Sequence, residues 1–270
     1  MIVVTGATGK LGRIVVEDLL TKLPADQVAV VARTPERAED LAERGVEVRQ
    51  GAYDDPASLE TAFAGADKLL FVSSPDVAPG VRPRQHGQVV DAARTAGVGH
   101  IVYTSAIGAD DGALFLADHT ITEAAIRSSG LTYTLLRNTF YTEEFVNSGL
   151  AAAVEAGELT APALAHPLVT ATRADLALAA SAVLVGDGHD DAVYELRGPG
   201  WTFPELADAL ASVAGRPVTF REVADDASPL AFIVPLLRRR EFGQPTTDLE
   251  KLLGRPATGV EPALRAALGG

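Results

Sequence analysis

The stretch Ile2-Val3-Val4-Thr5-Gly6-Ala7-Thr8-Gly9-Lys10-Leu11-Gly12 constrains this chain more than any other. An apolar, β-branched run breaks at Gly6, and Gly6, Gly9 and Gly12 recur at every third residue. Apolar side chains from Ile14 to Leu20 then return at helical spacing. A strand, a tight glycine turn and a helix start are the three parts of a dinucleotide-phosphate site. Gly6 permits the turn, Gly9 lets backbone approach a pyrophosphate, and Gly12 lets the helix pack closely on the strand. The helix start presents unpaired N–H groups and a positive dipole end to phosphates. Thr8, Lys10 and Leu11, lying between the glycines, are assigned to the same cofactor site.

The rhythm that follows predicts the rest of the fold. Strands are expected at Ile2–Thr5, Val28–Ala32, Val46–Gln50, Lys68–Val72, His100–Thr104 and Thr132–Leu136. Helices are expected at Leu11–Lys22, Pro35–Arg44, Pro56–Phe63, Gln85–Ala96 and His119–Ser128. Strands separated by helices require right-handed crossovers and a parallel sheet. The expected class is α/β: a Rossmann-type doubly wound parallel sheet with a small C-terminal α/β substrate lobe. Residues 1–138 are assigned to the NAD(P)-binding core and 139–270 to a mixed lobe, with segments at about 165–196 returning to the core sheet. In the lobe, Phe203–Ala214 reads as a helix with Thr202 as N-cap and Pro204 in the first turn.

Composition excludes several function classes. The net charge of −13 disfavours nucleic acid and anionic membranes, which demand a basic footprint. No apolar run approaches 18 residues, so no membrane span is expected. With no cysteine there is no disulfide, thiolate nucleophile or cysteine metal site. The histidines at 86, 100, 166 and 189 have no metal-ligand spacing, so no metal is expected. The first strand starts at Met1, leaving no room for a signal peptide, and a cytoplasmic location is expected. A homodimer is left open.

The ends of the expected strands carry the candidate ligand residues, because ligands bind outside the carboxyl edge of such a sheet. Arg33 follows the second strand, where NAD sites place an acid. A guanidinium instead matches a 2′-phosphate, which favours NADP(H) with NAD(H) as the alternative. Asp54 is a candidate for the adenine amino group, although Asp54 or Asp55 could equally cap the helix at Pro56. Ser73, Ser74 and Thr104 are placed near the nicotinamide ribose, and Ser105 could bond a substrate carbonyl.

The Thr5–Gly12 loop, the Val31-Ala32-Arg33 strand end, Tyr103-Thr104-Ser105 and Tyr133-Thr134-Leu135-Leu136-Arg137-Asn138 together resemble the NmrA-like atypical short-chain dehydrogenases. Within that group the chain is most similar to type 2 NAD(P)H:quinone oxidoreductases, over nearly its whole length. The main catalytic branch of the superfamily uses a strand-end Ser with Tyr-x-x-x-Lys on the next helix. Here Ser105 is in place, but that helix carries His119-Thr120-Ile121-Thr122-Glu123, and no lysine occurs between Lys68 and Lys251. The loss matters less for a quinone, whose hydroquinone anion water can protonate, leaving the enzyme chiefly to hold two rings together. His119 is the candidate proton donor, with Tyr141 as another acid. The resemblance places Asn138 beside the nicotinamide. Phe140 and Tyr141 are candidates for the wall on which a planar substrate stacks, and Phe115 is a further candidate.

The expected function is NADPH-dependent hydride transfer to a quinone or similar planar acceptor. The alternatives are an NADP(H)-binding redox sensor without turnover, and a reductase of a secondary-metabolite ketone, imine or enone.

Overall fold

The computed structural model describes residues 1–109 and 116–269. The first eleven elements alternate: β1 (Ile2–Thr5), α1 (Lys10–Lys22), β2 (Val28–Ala32), α2 (Glu39–Glu43), β3 (Glu47–Gln50), α3 (Pro56–Phe63), β4 (Lys68–Phe71), α4 (Val81–Thr95), β5 (His100–Ala106), α5 (Ala117–Ser128) and β6 (Thr132–Asn138). Then come α6 (Ala151–Ala156), β7 (Glu158–Ala161), β8 (Leu168–Val169), α7 (Arg173–Val185), β9 (Ala192–Leu196), β10 (Gly200–Trp201), α8 (Phe203–Ala214) and β11 (Thr219–Glu222). The chain divides into two compact units, Met1–Asn138 with Leu176–Glu195, and Thr139–Asp175 with Leu196–Gly270.

The first unit is built on one sheet with strand order β3-β2-β1-β4-β5-β6-β9. β1 pairs parallel with both β2 and β4, so the chain reverses its direction of travel across the sheet beside β1. That reversal opens a crevice at the carboxyl edge, where this architecture binds ligands. The inner strands β1, β2 and β4 are buried almost throughout, which explains their continuous apolar character, whereas the edge strand β3 is polar and exposed or half-buried. Val3, Ala29, Val31, Leu69, Phe71, Ile101 and Tyr103 pack with Leu59, Phe63, Val89, Ala93 and Ile126 of α3, α4 and α5. α1 buries Val15, Val16 and Leu19.

Two differences from the sequence reading bear on the site. α4 starts at Val81 rather than Gln85, on Gly80 in the left-handed conformation at φ +76°. Pro83 is tolerated because first-turn N–H groups have no intrahelical acceptor to lose. β5 and β6 each run two residues further than expected, so Ser105 and Arg137 lie inside strands.

In the second unit β8 pairs antiparallel with β10, and β7 parallel with β11. α8 has a complete capping box, Thr202 accepting from the Glu205 N–H and Glu205 accepting from the Thr202 N–H. Its apolar face packs Phe203, Leu206 and Leu210 with Phe145, Trp201 and Leu264. No helix among the described residues is long and apolar enough to cross a membrane.

Candidate functional site

The glycine turn has the shape that a phosphate cradle needs. Gly6 adopts φ +63°, and its carbonyl accepts the Gly9 N–H at 2.9 Å. α1 follows with Gly9 as N-cap, no side-chain cap and no acid in its first turn. Its leading N–H groups are therefore free for an anion. A Cβ on Gly12 would lie 2.4 Å from the Gly6 carbonyl oxygen, so helix and turn are in direct backbone contact. Lys10 is exposed and Thr8 half-buried, whereas the Leu11 side chain is buried in the core.

Arg33 is exposed at the end of β2 and makes no hydrogen bond or ion pair among the described residues. It borders a cavity of about 610 Å³ shared with Arg49, Gln50, Ala52 and Asp55. Arg49 is spent on the Ala62 and Ala64 carbonyls and on Glu47, leaving Arg33 as the uncommitted cation there. The two aspartates are distinguished by their bonds. Asp55 caps α3 through the Ser58 N–H, while Asp54 accepts from Arg84 at 2.7 Å and Gln85 at 2.9 Å. Both Asp54 oxygens thus tie their loop to α4.

The end of β4 is clamped by α4. The Ser74 N–H donates to His86 Nε2 at 2.9 Å, its hydroxyl to Gln85 at 2.5 Å, and its carbonyl accepts from Arg82 Nε at 2.9 Å. Ser74 is buried and fully occupied, so its expected cofactor contact is corrected to a structural one. The Ser73 N–H donates to the buried Thr104 hydroxyl, holding β4 to β5. Ser105 is also corrected. Its hydroxyl donates to Glu123 at 2.6 Å in a buried setting, so its proton is committed to a carboxylate and not to a substrate carbonyl. Burial opposes charge on Glu123, but hydrogen bonds from Arg137 and Ser105 outweigh it and hold the carboxyl below its usual range.

His119 sits in a buried hydrogen-bonded chain that fixes its proton. His86 Nε2 accepts from Ser74, so its proton is on Nδ1, facing the Thr122 hydroxyl at 2.8 Å. Thr122 in turn donates to the Asp118 carbonyl at 2.7 Å. The fully buried Tyr103 hydroxyl then has His119 Nδ1 as its acceptor at 2.7 Å. A neutral His119 therefore carries its proton on Nε2. Burial, reinforced by the Arg82 charge, lowers the His119 pKa to about 4. At neutral pH the ring is therefore a neutral N–H hydrogen-bond donor. The sequence reading gave Tyr103, His86 and Arg82 no role in the site.

Asn138 closes the carboxyl end of β6. Its Oδ1 is buried and has no hydrogen-bond partner among the described residues. Such an orphan acceptor fits a ligand amide donor. Phe115 lies outside the described residues. In the second unit, Phe140 packs at 5.0 Å from the Phe242 ring and 6.1 Å from Phe145, within the core of that unit. Tyr141 lies under Arg173, whose guanidinium carbon is 4.6 Å from the ring centroid. Burial raises its pKa, which makes it a poor acid at neutral pH.

Residues 6–187 match the family described as NAD(P)H-binding. The chain is 40% identical over 275 residues to quinone oxidoreductase 2 of Escherichia coli (strain K12), covering 96% of this chain and 95% of that protein. The solved Citrobacter sp. triphenylmethane reductase complexed with NADP(H) superposes with a TM-score of 0.91 at 39% identity, over 99% of this chain and 100% of that one. The Escherichia coli NADPH-dependent quinone oxidoreductase complexed with NADPH gives 0.88 at 36% identity, over 98% and 99%.

Proposed function

The chain belongs to the NAD(P)H-binding family, and from that premise we propose that it is an NADPH-dependent oxidoreductase passing hydride to quinones or similar planar acceptors. The observation that carries this reading is the pairing of the Gly6–Gly12 cradle with the orphan Asn138 Oδ1, both on the carboxyl edge of one sheet. The cradle would hold the pyrophosphate, Arg33 the 2′-phosphate, and Asn138 the carboxamide of the nicotinamide. Bound NADPH supplies the hydride. His119 presents its Nε2–H without changing charge, and solvent supplies the proton to the reduced acceptor. Positioning and electrostatics, not a proton relay, are then what the protein contributes.

Arg33→Ala is expected to weaken NADPH binding by about 10- to 100-fold, the size of a lost charge-assisted contact, and to leave NADH binding nearly unchanged. Fluorescence titration with both dinucleotides checks it, and an equal loss for the two rules out the 2′-phosphate role.

The reading as a whole is tested by following NADPH oxidation at 340 nm against a quinone panel, with His119→Ala alongside. Wild-type turnover is expected, with kcat in the variant reduced by about 100-fold and NADPH affinity unchanged. Because the ring stays neutral above its pKa of about 4, turnover should be flat from about pH 6 to 9. A rate falling as pH rises through about 6.5 would instead identify an imidazolium acid. Tight NADPH binding without turnover on any acceptor would replace the enzyme by a redox sensor.

A further inference from the structure

Arg82 is a buried charged group that the reading above leaves unused. It occupies the second position of α4, at the carboxyl edge of the sheet, with only 6% of its surface exposed. Its Nε donates to the Ser74 carbonyl at 2.9 Å. Its Nη1 approaches the Asp118 carboxylate at 3.8 Å, an ion pair too long for a hydrogen bond. Neither terminal nitrogen makes a hydrogen bond among the described residues. A guanidinium has five N–H donors, and burying most of them unpaired is costly. The position aggravates that cost, because a helix N-terminus repels a cation and α4 has no acid in its first turn.

The neighbouring group has the same character. His119 follows Asp118 directly, and its Nε2–H makes no hydrogen bond among the described residues. Both residues lie in the first turn of their helices, and both helices start above the carboxyl edge of the sheet. Two unspent donors, one of them cationic and one at a positive helix end, suit a ligand oxygen that carries negative charge.

The geometry points to an oxyanion subsite formed by the Arg82 guanidinium and the His119 Nε2–H, which selects acceptors whose oxygen becomes or already is anionic. This inference rests on the reductase reading and names the substrate class of that same site. Hydride addition to a quinone moves an electron pair onto a carbonyl oxygen, leaving a hydroquinone monoanion, and one proton from solvent completes the hydroquinone. The subsite stabilises that monoanion before the proton arrives. Neutral quinones and quinones bearing an ionised hydroxyl are its ligands.

The test compares Arg82→Gln and Arg82→Lys with wild type in the NADPH-binding full chain. The probes are 2-hydroxy-1,4-naphthoquinone, anionic at neutral pH, and neutral 1,4-naphthoquinone. Equilibrium binding of each probe is measured by calorimetry on the NADP⁺-loaded protein, where no hydride is available. Arg82→Gln is expected to weaken the anion by about 10- to 100-fold and the neutral quinone by less than about threefold, while Arg82→Lys recovers most of the anion affinity. kcat for 1,4-naphthoquinone in Arg82→Gln should fall by about 100-fold with the Kd for NADPH unchanged. Equal weakening of both probes, or loss of NADPH affinity, overturns the subsite and assigns Arg82 to structure or to the cofactor. Thermal unfolding of the two variants separates misfolding from that result, because Gln and Lys differ in charge at matched burial. If no quinone supports NADPH oxidation by wild type, the reductase reading fails; if wild type turns over and Arg82→Gln matches it, only the subsite fails.

Discussion

Gly12→Ala is expected to remove NADPH binding and to destabilise the first unit together. The added Cβ would sit 2.4 Å from the Gly6 carbonyl oxygen and 2.7 Å from its carbon. Both atoms are backbone, and the Gly6 carbonyl is already fixed by the Gly9 N–H. Neither can rotate away, so α1 must lift from the turn. Overpacking of this kind costs about 1–3 kcal/mol, and a backbone clash this close belongs at the upper end. The functional loss is larger than the stability loss, because the lifted helix withdraws its free N–H groups and its positive end from the phosphates. A drop in NADPH affinity of about 100-fold or more is expected. Gly9→Ala is the control. Its Cβ meets only the Gly6 oxygen, at 3.2 Å, a contact relieved by a shift of a few tenths of an ångström. That variant should unfold near the wild-type temperature and bind NADPH more weakly. Differential scanning fluorimetry and NADPH titration on both variants decide the matter. A Gly12→Ala protein with wild-type affinity would show that the helix start does not hold the cofactor.

The contrast between these two glycines shows what sequence carries and what it does not. Spacing alone identified the turn, because a strand, a break and a helical period are local signals. The inner strands β1, β2 and β4 were legible for the same reason, each being a largely buried apolar run of a few residues. Positions at the carboxyl edge were legible where a strand end fixes them, as for Arg33 at the end of β2. The interior of the site was not, because partners there come from different elements. Tyr103 on β5, His86 on α4 and His119 on α5 meet through hydrogen bonds spanning 16 to 36 residues. Arg82 was hidden by its neighbourhood. Val81-Arg82-Pro83-Arg84 reads as a polar, proline-broken loop, and only the left-handed Gly80 turns it into the first turn of a helix. Ser105 was misread because a strand-end hydroxyl looks available until its acceptor is known. The acceptor, Glu123, stood in the sequence four residues after His119, and the spacing gave no sign that it turns inward to β5 and β6.

Glu123 also sets the second large effect, through Arg137. The carboxylate is 1% exposed and Arg137 7%. Arg137 binds it with two donors, Nε to Oε1 at 3.0 Å and Nη2 to Oε2 at 2.7 Å, and Arg127 adds a third at 3.0 Å. Arg137→Met is expected to cost about 3–5 kcal/mol at neutral pH, because it leaves a buried charge without its main partner. The pH dependence follows from the sign of the shift. In wild type the Glu123 carboxyl is held low, so its contribution is present at neutral pH and is lost only as pH falls through the folded-state pKa. With Arg137 gone, burial dominates and raises that pKa above the unfolded value. The folded variant then binds the proton more readily than the unfolded chain, and its deficit shrinks on acidification. Arg137→Met combined with Glu123→Gln removes the charge with its partner and should recover more than half of the single-variant loss. Urea unfolding at about pH 7 and about pH 5 measures all three proteins on one scale. If the double variant is no more stable than Arg137→Met, the cost lies in lost packing rather than in an uncompensated carboxylate. If the single variant is equally destabilised at both pH values, Glu123 stays ionised without Arg137, and Arg127 is its principal counter-ion.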